Sequence, residues 1–224
     1  MKFFDLLVKT FPTFPSAMLI TVEVTIISLI LATVLGVIFC LFKMSKIKPL
    51  QWIANIYISI IRGTPLVVQV LFIYFGVSMA IRVSIAPDFR WNLMVAGVVI
   101  MSLNAGAYMT ELIRGGIEAI DKGQMEAARS LGLSYGQAMR KIVLPQAFRT
   151  MLPSIINQFI VTLKDTSLLS FFGLRELVQN TKIIVANNME YFNMYAIVGL
   201  YYWVIVSILT AVAKMIEKRT TYGK

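Results

Sequence analysis

The chain has 224 residues, of which 58 % are hydrophobic, and it carries 21 Lys and Arg against 11 Asp and Glu. A soluble domain is about 45–50 % apolar, so the excess, which comes in long runs, predicts a protein that crosses the membrane several times. The sequence has no histidine and one cysteine. This excludes catalysis by histidine, most zinc sites and an internal disulfide.

Apolar segments long enough to cross the bilayer predict an all-α integral membrane protein with five transmembrane helices. The spans are predicted at about 18–42, 65–81, 91–113, 150–172 and 193–213. Thr64 and Pro65, before the second span, are typical of a helix N-cap followed by the first helical position. We expect residues 1–224 to form a single transmembrane domain.

The distribution of basic residues predicts the orientation of the chain. With the N-terminus outside, the cytoplasmic segments would hold 14 Lys and Arg, and the outer segments would hold 6. The cytoplasmic segments are then 43–64, 114–149 and 214–224, and the outer segments are 1–17, 82–90 and 173–192. Because cytoplasmic loops are enriched in Lys and Arg, we predict an outer N-terminus and a cytoplasmic C-terminus. The same bias accounts for the net charge of +10, and no nucleic acid partner is expected.

A polar segment between the third and fourth predicted spans, residues 121–145, is here called the elbow. Asp121 and Ser134 each precede a glutamine by three residues, as in a capping box. Gly132, between them, suits a helix end with positive φ, and the second helix is predicted to run to Pro145, where the chain turns into the fourth span. A simple connector needs far fewer residues, which favours a rigid contact surface over the alternative of a tight linking loop.

The elbow resembles the signature loop of permease subunits in ATP-binding-cassette importers: EAA, three residues, Gly, nine residues, then IVLP. Three more stretches resemble the polar amino acid branch of that family, in the same order along the chain. They are RGTPLVVQVLFIYFG (62–76), AYMTELIRGGI (107–117) and LKDTSLLS (163–170). The resemblance implies that the elbow is a coupling helix seated in a cleft of the ATPase. The expected coupling residues are Glu126, Ala127, Ala128, Leu131, Gly132 and Pro145.

The same resemblance implies a set of partners and a location. These are cytoplasmic ATP-binding-cassette ATPase subunits, a second permease copy or homologue (a homodimer is expected), an extracytoplasmic amino-acid-binding protein, and the inner (cytoplasmic) membrane of a prokaryotic cell. No G-x-x-x-x-G-K-[ST] phosphate-binding loop occurs in the sequence. ATP and Mg²⁺ are therefore expected on the partner ATPase, and this chain is expected to bind no cofactor or metal and to hold no catalytic residue.

Polar residues within the predicted spans share helix faces. Ser154, Gln158, Thr162 and Asp165 are spaced by four, four and three residues, which places them on one stripe of the fourth span. Asn104 in the third span and Gln158 lie at similar depths, roughly 21–22 Å below the outer ends of their spans at 1.5 Å per residue. We predict a substrate pathway lined by Asn104, Gln158, Thr162 and Asp165. The alternative, that these side chains only join helices by hydrogen bonds, stays open.

Two more polar residues carry different expectations. Glu111 lies near the cytoplasmic end of its span and is expected to pair with Arg114, a lysine or lipid headgroups. Gln69 is a lone amide in the second span and is expected to serve packing alone.

The function predicted from these features is the membrane-spanning subunit of an ATP-driven amino acid importer, which forms the pathway and couples it to a separate ATPase. The alternative is an ion-coupled secondary carrier or channel without an ATPase. Lys164 and Asp165 would suit ion coupling, but the elbow would then have no purpose. An intramembrane enzyme is disfavoured because the chain has no histidine.

Overall fold

The computed structural model describes residues 2–221, and every regular element in that range is helical. The helices are α1 (Lys2–Thr10), α2 (Phe14–Met44), α3 (Lys48–Gly63), α4 (Leu66–Leu71), α5 (Ser78–Ser84), α6 (Leu93–Glu118), α7 (Lys122–Ser130), α8 (Tyr135–Ala138), α9 (Leu144–Asp165), α10 (Leu177–Asn188) and α11 (Tyr191–Thr221). A π-helical segment, Phe72–Val77, joins α4 to α5, so these three pieces form one continuous stretch.

Four helical stretches in the described part of the chain are long and apolar enough to cross a membrane. They are Phe3–Met44, Leu66–Ser84, Leu93–Glu118 and Tyr191–Lys218. The region of the fourth predicted span, 150–172, is helical in α9 and continues as a 3₁₀ helix over Thr166–Phe172, but it is not among the four. Helix α9 nevertheless packs against α2, α6 and α11, and it therefore belongs to the same bundle.

The second span starts differently from the prediction. Thr64 ends α3, because its hydroxyl donates to the carbonyl of Ile60 at 2.8 Å. The backbone at Pro65 is extended, and α4 begins one residue later, at Leu66. The predicted N-cap at Thr64 is thus wrong: Pro65 takes the cap position, and the Thr64 hydroxyl accepts from the side-chain amide of Gln69 at 3.0 Å instead of from a backbone N–H of α4.

The centre of the bundle is the contact between α2 and α6. Gly36 of α2 lies so close to Met109 that a β-carbon added at Gly36 would sit 2.7 Å from the Met109 Cγ. Gly106 lies on α6, and a β-carbon added there would lie 2.8 Å from the hydroxyl of Tyr57 on α3. That hydroxyl donates to the carbonyl of Leu103 on α6 at 2.6 Å. Small residues therefore let α2, α3 and α6 approach to backbone distance, as is common between membrane helices.

A second core lies at the end of the bundle away from the elbow. It joins the start of α2 to α10 and α11 through Phe14, Leu177, Met194 and Ile197, all fully buried. The Phe14 ring stacks on that of Tyr201 with the centroids 4.3 Å apart. The region predicted as an outer connection is thus an ordered helix packed on the bundle.

Candidate functional site

The elbow is a helical hairpin, as predicted. The Asp121 carboxylate accepts from the backbone N–H of Gly123 at 2.7 Å and begins α7. Gly132 has φ +87°, a left-handed conformation that glycine adopts without a steric penalty. Ser134 then begins α8 through a full capping box with Gln137. These local bonds fix the bend between the two helices, so the hairpin is stiff.

One cap of the elbow differs from the expectation. The side chain of Gln124 does not return to the Asp121 backbone to complete a capping box. Its carbonyl oxygen instead lies 3.5 Å from the side-chain amide nitrogen of Gln146. This contact ties the first helix of the hairpin to the base of α9, and a bond between residues so far apart in sequence is invisible to a local motif.

The second helix of the elbow does not end at Pro145. Helix α8 passes through a π-helical segment, Met139–Val143, directly into α9, so the helix is continuous from Tyr135 to Asp165. Proline lacks an N–H and its ring clashes with the carbonyl four residues earlier in an α-helix. The wider turn just before Pro145 accommodates both. The predicted turn is thus wrong: the second helix of the elbow and α9 form one continuous helical rod, which contains Pro153.

The expected coupling residues fall into two groups by exposure. Those that face solvent are Glu126, Ala127, Leu131, Gly132 and Pro145. Leu131 stands out, with 83 % of its surface exposed. Ala128 is buried, because α7 packs on α8 and the π-helical segment at this point. Ala128 therefore holds the hairpin together and presents no side chain to a partner.

Tyr135 is an exposed residue of the elbow that the sequence analysis overlooked. It is the first residue of α8 and is 56 % exposed. Together with Leu131 it gives the bend of the hairpin two solvent-facing apolar side chains. The sequence did carry a signal for Tyr135, because it is an aromatic residue in a segment that is otherwise mostly small and polar.

Three of the four predicted pathway residues take part in two separate hydrogen-bonded pairs. The Asn104 side-chain amide donates to the Oε1 of Gln69 at 3.0 Å, and both residues are buried. The Gln158 amide donates to the hydroxyl of Thr162 at 3.3 Å within α9. Among the described hydrogen bonds none joins Asn104 to Gln158, although α6 packs against α9.

Gln69 forms hydrogen bonds to neighbouring helices. Besides accepting from Asn104, its amide donates to the carbonyls of Ile61 at 2.7 Å and Thr64 at 3.1 Å. It thereby joins the end of α3, the start of α4 and the middle of α6. These bonds join helices, which is the structural role expected for Gln69, and they satisfy an amide that would be costly to bury unpaired.

Asp165 is the last residue of α9 and is partly buried. Within residues 2–221 its carboxylate has no hydrogen-bond donor and no ion pair, and Lys164 beside it is exposed. Adjacent residues on a helix point about 100° apart, and Asp165 and Lys164 form no ion pair with each other. The carboxylate is therefore free for another ligand.

Glu111 pairs as predicted and forms a charge cluster at the elbow end of the bundle. Its carboxylate lies 2.6 Å from the Lys43 Nζ and 2.8 Å from an Arg114 nitrogen, and Arg62 approaches to 3.9 Å. We call these four residues the Glu111 cluster. The cluster joins α2, α3 and α6 beside the point where the elbow begins.

A buried carboxylate at the opposite end was not predicted. Glu176 has no exposed surface and begins α10 by accepting from the backbone N–H groups of Val178 at 2.8 Å and Gln179 at 2.7 Å. Tyr202 donates to the same carboxylate at 3.3 Å. Burial raises the pKa of Glu176 to about 7, and these hydrogen bonds oppose the shift only in part. Across residues 2–221 no three His, Cys, Asp or Glu side chains are grouped to hold a metal ion.

Comparisons with known proteins agree with this architecture. Residues 28–222 match the family described as binding-protein-dependent transport system inner membrane component. The arginine transport system permease protein ArtQ of Bacillus subtilis is 38 % identical over 216 residues, which is 96 % of each chain. The putative glutamine transport system permease protein GlnP of Rickettsia typhi is 37 % identical over 201 residues, covering 90 % of this chain and 89 % of GlnP.

Solved structures give the same result. The crystal structure of an amino acid ABC transporter with histidines superposes with a TM-score of 0.88 at 37 % identity, covering 95 % of this chain and 96 % of that one. The inward-facing MetNI methionine ABC transporter has a TM-score of 0.68 at 18 % identity and covers 90 % and 93 %, which shows a shared fold. The chain therefore belongs to the family of binding-protein-dependent transport system inner membrane components.

Proposed function

We propose that the chain is the membrane-spanning subunit of an ATP-driven amino acid importer in a bacterial inner membrane. The observation that carries the proposal is the elbow, a stiff hairpin that is exposed at its bend and continuous with a helix of the bundle. A transporter that needs no ATPase has no use for such an element. Relatives named as arginine and glutamine permeases support amino acids as the substrate class.

In this proposal the chain crosses the membrane five times, with α9 as the fourth span. The N-terminus is outside and the elbow is cytoplasmic, as the bias of Lys and Arg favours. Helix α9 falls short of the hydropathy of the other four spans, but its packing against α2, α6 and α11 supports its assignment as a span. Intramembrane polar residues usually face protein or a water-filled pathway.

The continuous rod gives the proposal its mechanism. The ATPase subunits would grip the exposed side chains of Leu131 and Tyr135, and the elbow would move with them when nucleotide binds or leaves. Because the helix runs unbroken to Asp165, a displacement of the elbow moves Gln158 and Thr162 as well. This is a rigid-body switch of the kind that one bound ligand can bias. ATP and Mg²⁺ are supplied by the partner ATPase.

The pathway is proposed to run along α6 and α9, past Asn104, Gln158, Thr162 and Asp165. An amino acid presents an ammonium group and a carboxylate. The free carboxylate of Asp165 suits the ammonium group, and side-chain amides and hydroxyls suit the carboxylate. A bundle of five helices does not enclose a pathway alone, so a second permease copy completes it. An extracytoplasmic binding protein would deliver the substrate.

The coupling surface is tested by Leu131→Ala in the chain co-expressed with its ATPase. Removing a buried leucine contact is worth about 1.5–3 kcal/mol, so we expect roughly ten-fold or greater loss of ATPase affinity. Leu19→Ala is the matched control, since Leu19 is 66 % exposed on α2, remote from the elbow. Equal ATPase recovery from both variants, or uptake driven by an ion gradient without any ATPase, contradicts the proposal.

The pathway has its own test in Asp165→Ala. We expect substrate-stimulated ATP hydrolysis to need at least ten-fold more substrate, because a charge-assisted hydrogen bond to the ammonium is worth roughly 1.5–3 kcal/mol. Assembly with the ATPase should be unchanged, since Asp165 holds no described bond within the bundle. A variant that fails to assemble would instead give Asp165 a structural role.

A further inference from the structure

A cavity of about 530 Å³ lies at the end of the bundle opposite the elbow, where α5 meets the connection to α6. The residues that define its chemistry are Tyr74, Phe75, Ser78, Arg82, Arg90 and Trp91. They come from two segments, the helical stretch that ends at Ser84 and the connection before Leu93. The cavity is separate from the pathway residues, which lie on α6 and α9.

Several of its hydrogen-bond donors are not used within the described part of the chain. Arg82 uses its Nε to donate to the carbonyl of Phe89 at 2.8 Å, which leaves the two terminal guanidinium nitrogens free. Arg90 has no ion pair within residues 2–221, and Asp88 between the two arginines pairs with neither. The indole N–H of Trp91 is buried and has no partner in the described part of the chain.

This set of donors describes a site for an anion. A buried N–H without an acceptor is rare in folded proteins and calls for a missing partner. Arginine is the side chain that best matches the oxygen pair of a phosphate. The hydroxyl of Ser78 is already used on the carbonyl of Tyr74, so the arginines and Trp91 would supply the bonds. The stacked rings of Tyr74 and Phe172, 4.3 Å apart, give the cavity a fixed wall.

The volume of the cavity and the apolar side chains near it indicate which kind of anion it fits. A single inorganic ion would leave most of the cavity empty, since a water molecule takes about 30 Å³ of liquid. A second, apolar groove of about 340 Å³ runs along the same helical stretch, lined by Phe72, Gly76 and Ile81 among others. The side chains of Phe72 and Met79 are 66 % and 61 % exposed, as lipid-facing residues are. The cavity itself combines the two arginines with the exposed apolar side chains of Phe75 and Met79, so a ligand with a phosphate head and an apolar chain matches its lining.

We propose that this cavity binds the phosphate headgroup of an anionic glycerophospholipid, with an acyl chain against the exposed side chains of Phe75 and Met79. Arg82 and Arg90 contact the phosphate oxygens and Trp91 donates its indole N–H to the headgroup. Tryptophan is enriched at the membrane–water interface, because its ring is apolar and its N–H is polar. The proposal depends on the cavity alone and holds whichever substrate the importer carries.

Native mass spectrometry of the assembled complex, purified from mixed micelles, tests the proposal. The probes are phosphatidylglycerol, phosphatidylcholine and inorganic phosphate, each added alone. The variants are Arg90→Gln and Trp91→Phe, which remove a charge and a donor without breaking a described bond, and Arg82→Gln. Arg175→Gln is the control, because Arg175 is exposed at the same end outside the cavity. Size-exclusion chromatography of each variant reports assembly.

We expect phosphatidylglycerol to be retained in preference to phosphatidylcholine, and roughly ten-fold weaker retention in Arg90→Gln, as for loss of one charge-assisted hydrogen bond. Trp91→Phe should weaken retention by a smaller factor, and the control should match the wild type. Equal retention of both lipids, or full retention by Arg90→Gln, overturns the site. Arginine-dependent binding of inorganic phosphate without phosphatidylglycerol overturns the lipid assignment. If a variant dissociates the permease pair while lipid retention stays unchanged, the cavity is a contact between the two permease copies and the lipid site is overturned.

Discussion

Gly36→Ala measures how closely α2 and α6 are packed. The added β-carbon would lie 2.7 Å from the Met109 Cγ, 2.8 Å from its Cβ and 3.1 Å from its backbone carbonyl carbon. Carbon atoms are in favourable contact at about 3.5–4.0 Å, so all three approaches are too close. The Cγ can rotate away, but Cβ and the backbone carbon move only with the helix. Met109 borders a groove of about 430 Å³ into which its side chain can turn, but that movement does not relieve the contacts with its Cβ and backbone carbon.

The size of the effect follows from that geometry. Forcing an extra carbon into a tightly packed core costs about 1–3 kcal/mol, while alanine in place of glycine within a helix gains about 0.5–1 kcal/mol. Gly115→Ala on α6 is the matched control, because nothing lies within 4 Å of its added β-carbon. The helix propensity gain is common to both variants. Their difference therefore isolates the overpacking, about 1–3 kcal/mol in favour of Gly115→Ala.

The assay is the apparent unfolding midpoint of each variant in the assembled, detergent-solubilised complex. A chain of this size loses about 2–4 °C per kcal/mol, so Gly36→Ala should unfold several degrees below Gly115→Ala. Size-exclusion chromatography before heating checks that both variants assemble. Coincident midpoints would mean that α2 and α6 are free to separate, and the close approach of their backbones would not be what holds the bundle together.

Three further changes probe the elbow, the Glu111 cluster and the buried carboxylate. Gly132→Ala should weaken ATPase co-purification because a left-handed residue other than glycine costs about 1–2 kcal/mol, while Gly136→Ala, in ordinary helix, should not. Glu111→Gln leaves three cations facing one another and should lower the unfolding midpoint. Glu118→Gln should lower it less, because the Glu118 side chain is 55 % exposed. Equal midpoints for the two variants would contradict this. Glu176 has a pKa raised to about 7, so the folded state holds a proton that the unfolded state loses above about pH 4.5. Its contribution to stability is therefore fully present below that pH and is lost as pH rises through about 7. Glu176→Gln should remove this pH dependence, and a variant that keeps the wild-type profile would refute the assignment.

Features of the elbow were predictable because the rules that govern them are local. A helix cap is set by a side chain and a backbone N–H two or three residues away, so Asp121 and Ser134 identify two helix starts from sequence. Gly132 is likewise recognised by the backbone conformation it permits. Where the partner is distant the prediction failed: Gln124 bonds to Gln146 instead of completing its own cap.

The amide pair inside the bundle was missed for the same physical reason. Gln69 and Asn104 are 35 residues apart, and only the packing of α4 on α6 brings them together. Periodicity places each residue on a face of its own helix, but it does not say which faces meet. The depth estimate matched Asn104 with Gln158, whereas Asn104 is bonded to a residue that had been assigned to packing.

The least apolar helix of the bundle carries most of the proposed mechanism. Helix α9 packs against α2, α6 and α11, and the parts of a helix that contact other helices do not need the apolar surface that faces lipid. That freedom lets it hold Gln158, Thr162 and Asp165 within the bundle. The π-helical segment before Leu144 then keeps it continuous with the elbow despite Pro145. The lower hydropathy of α9 and its unbroken join to the elbow thus fit one design, in which the helix proposed to sense the ATPase is also the helix proposed to line the pathway.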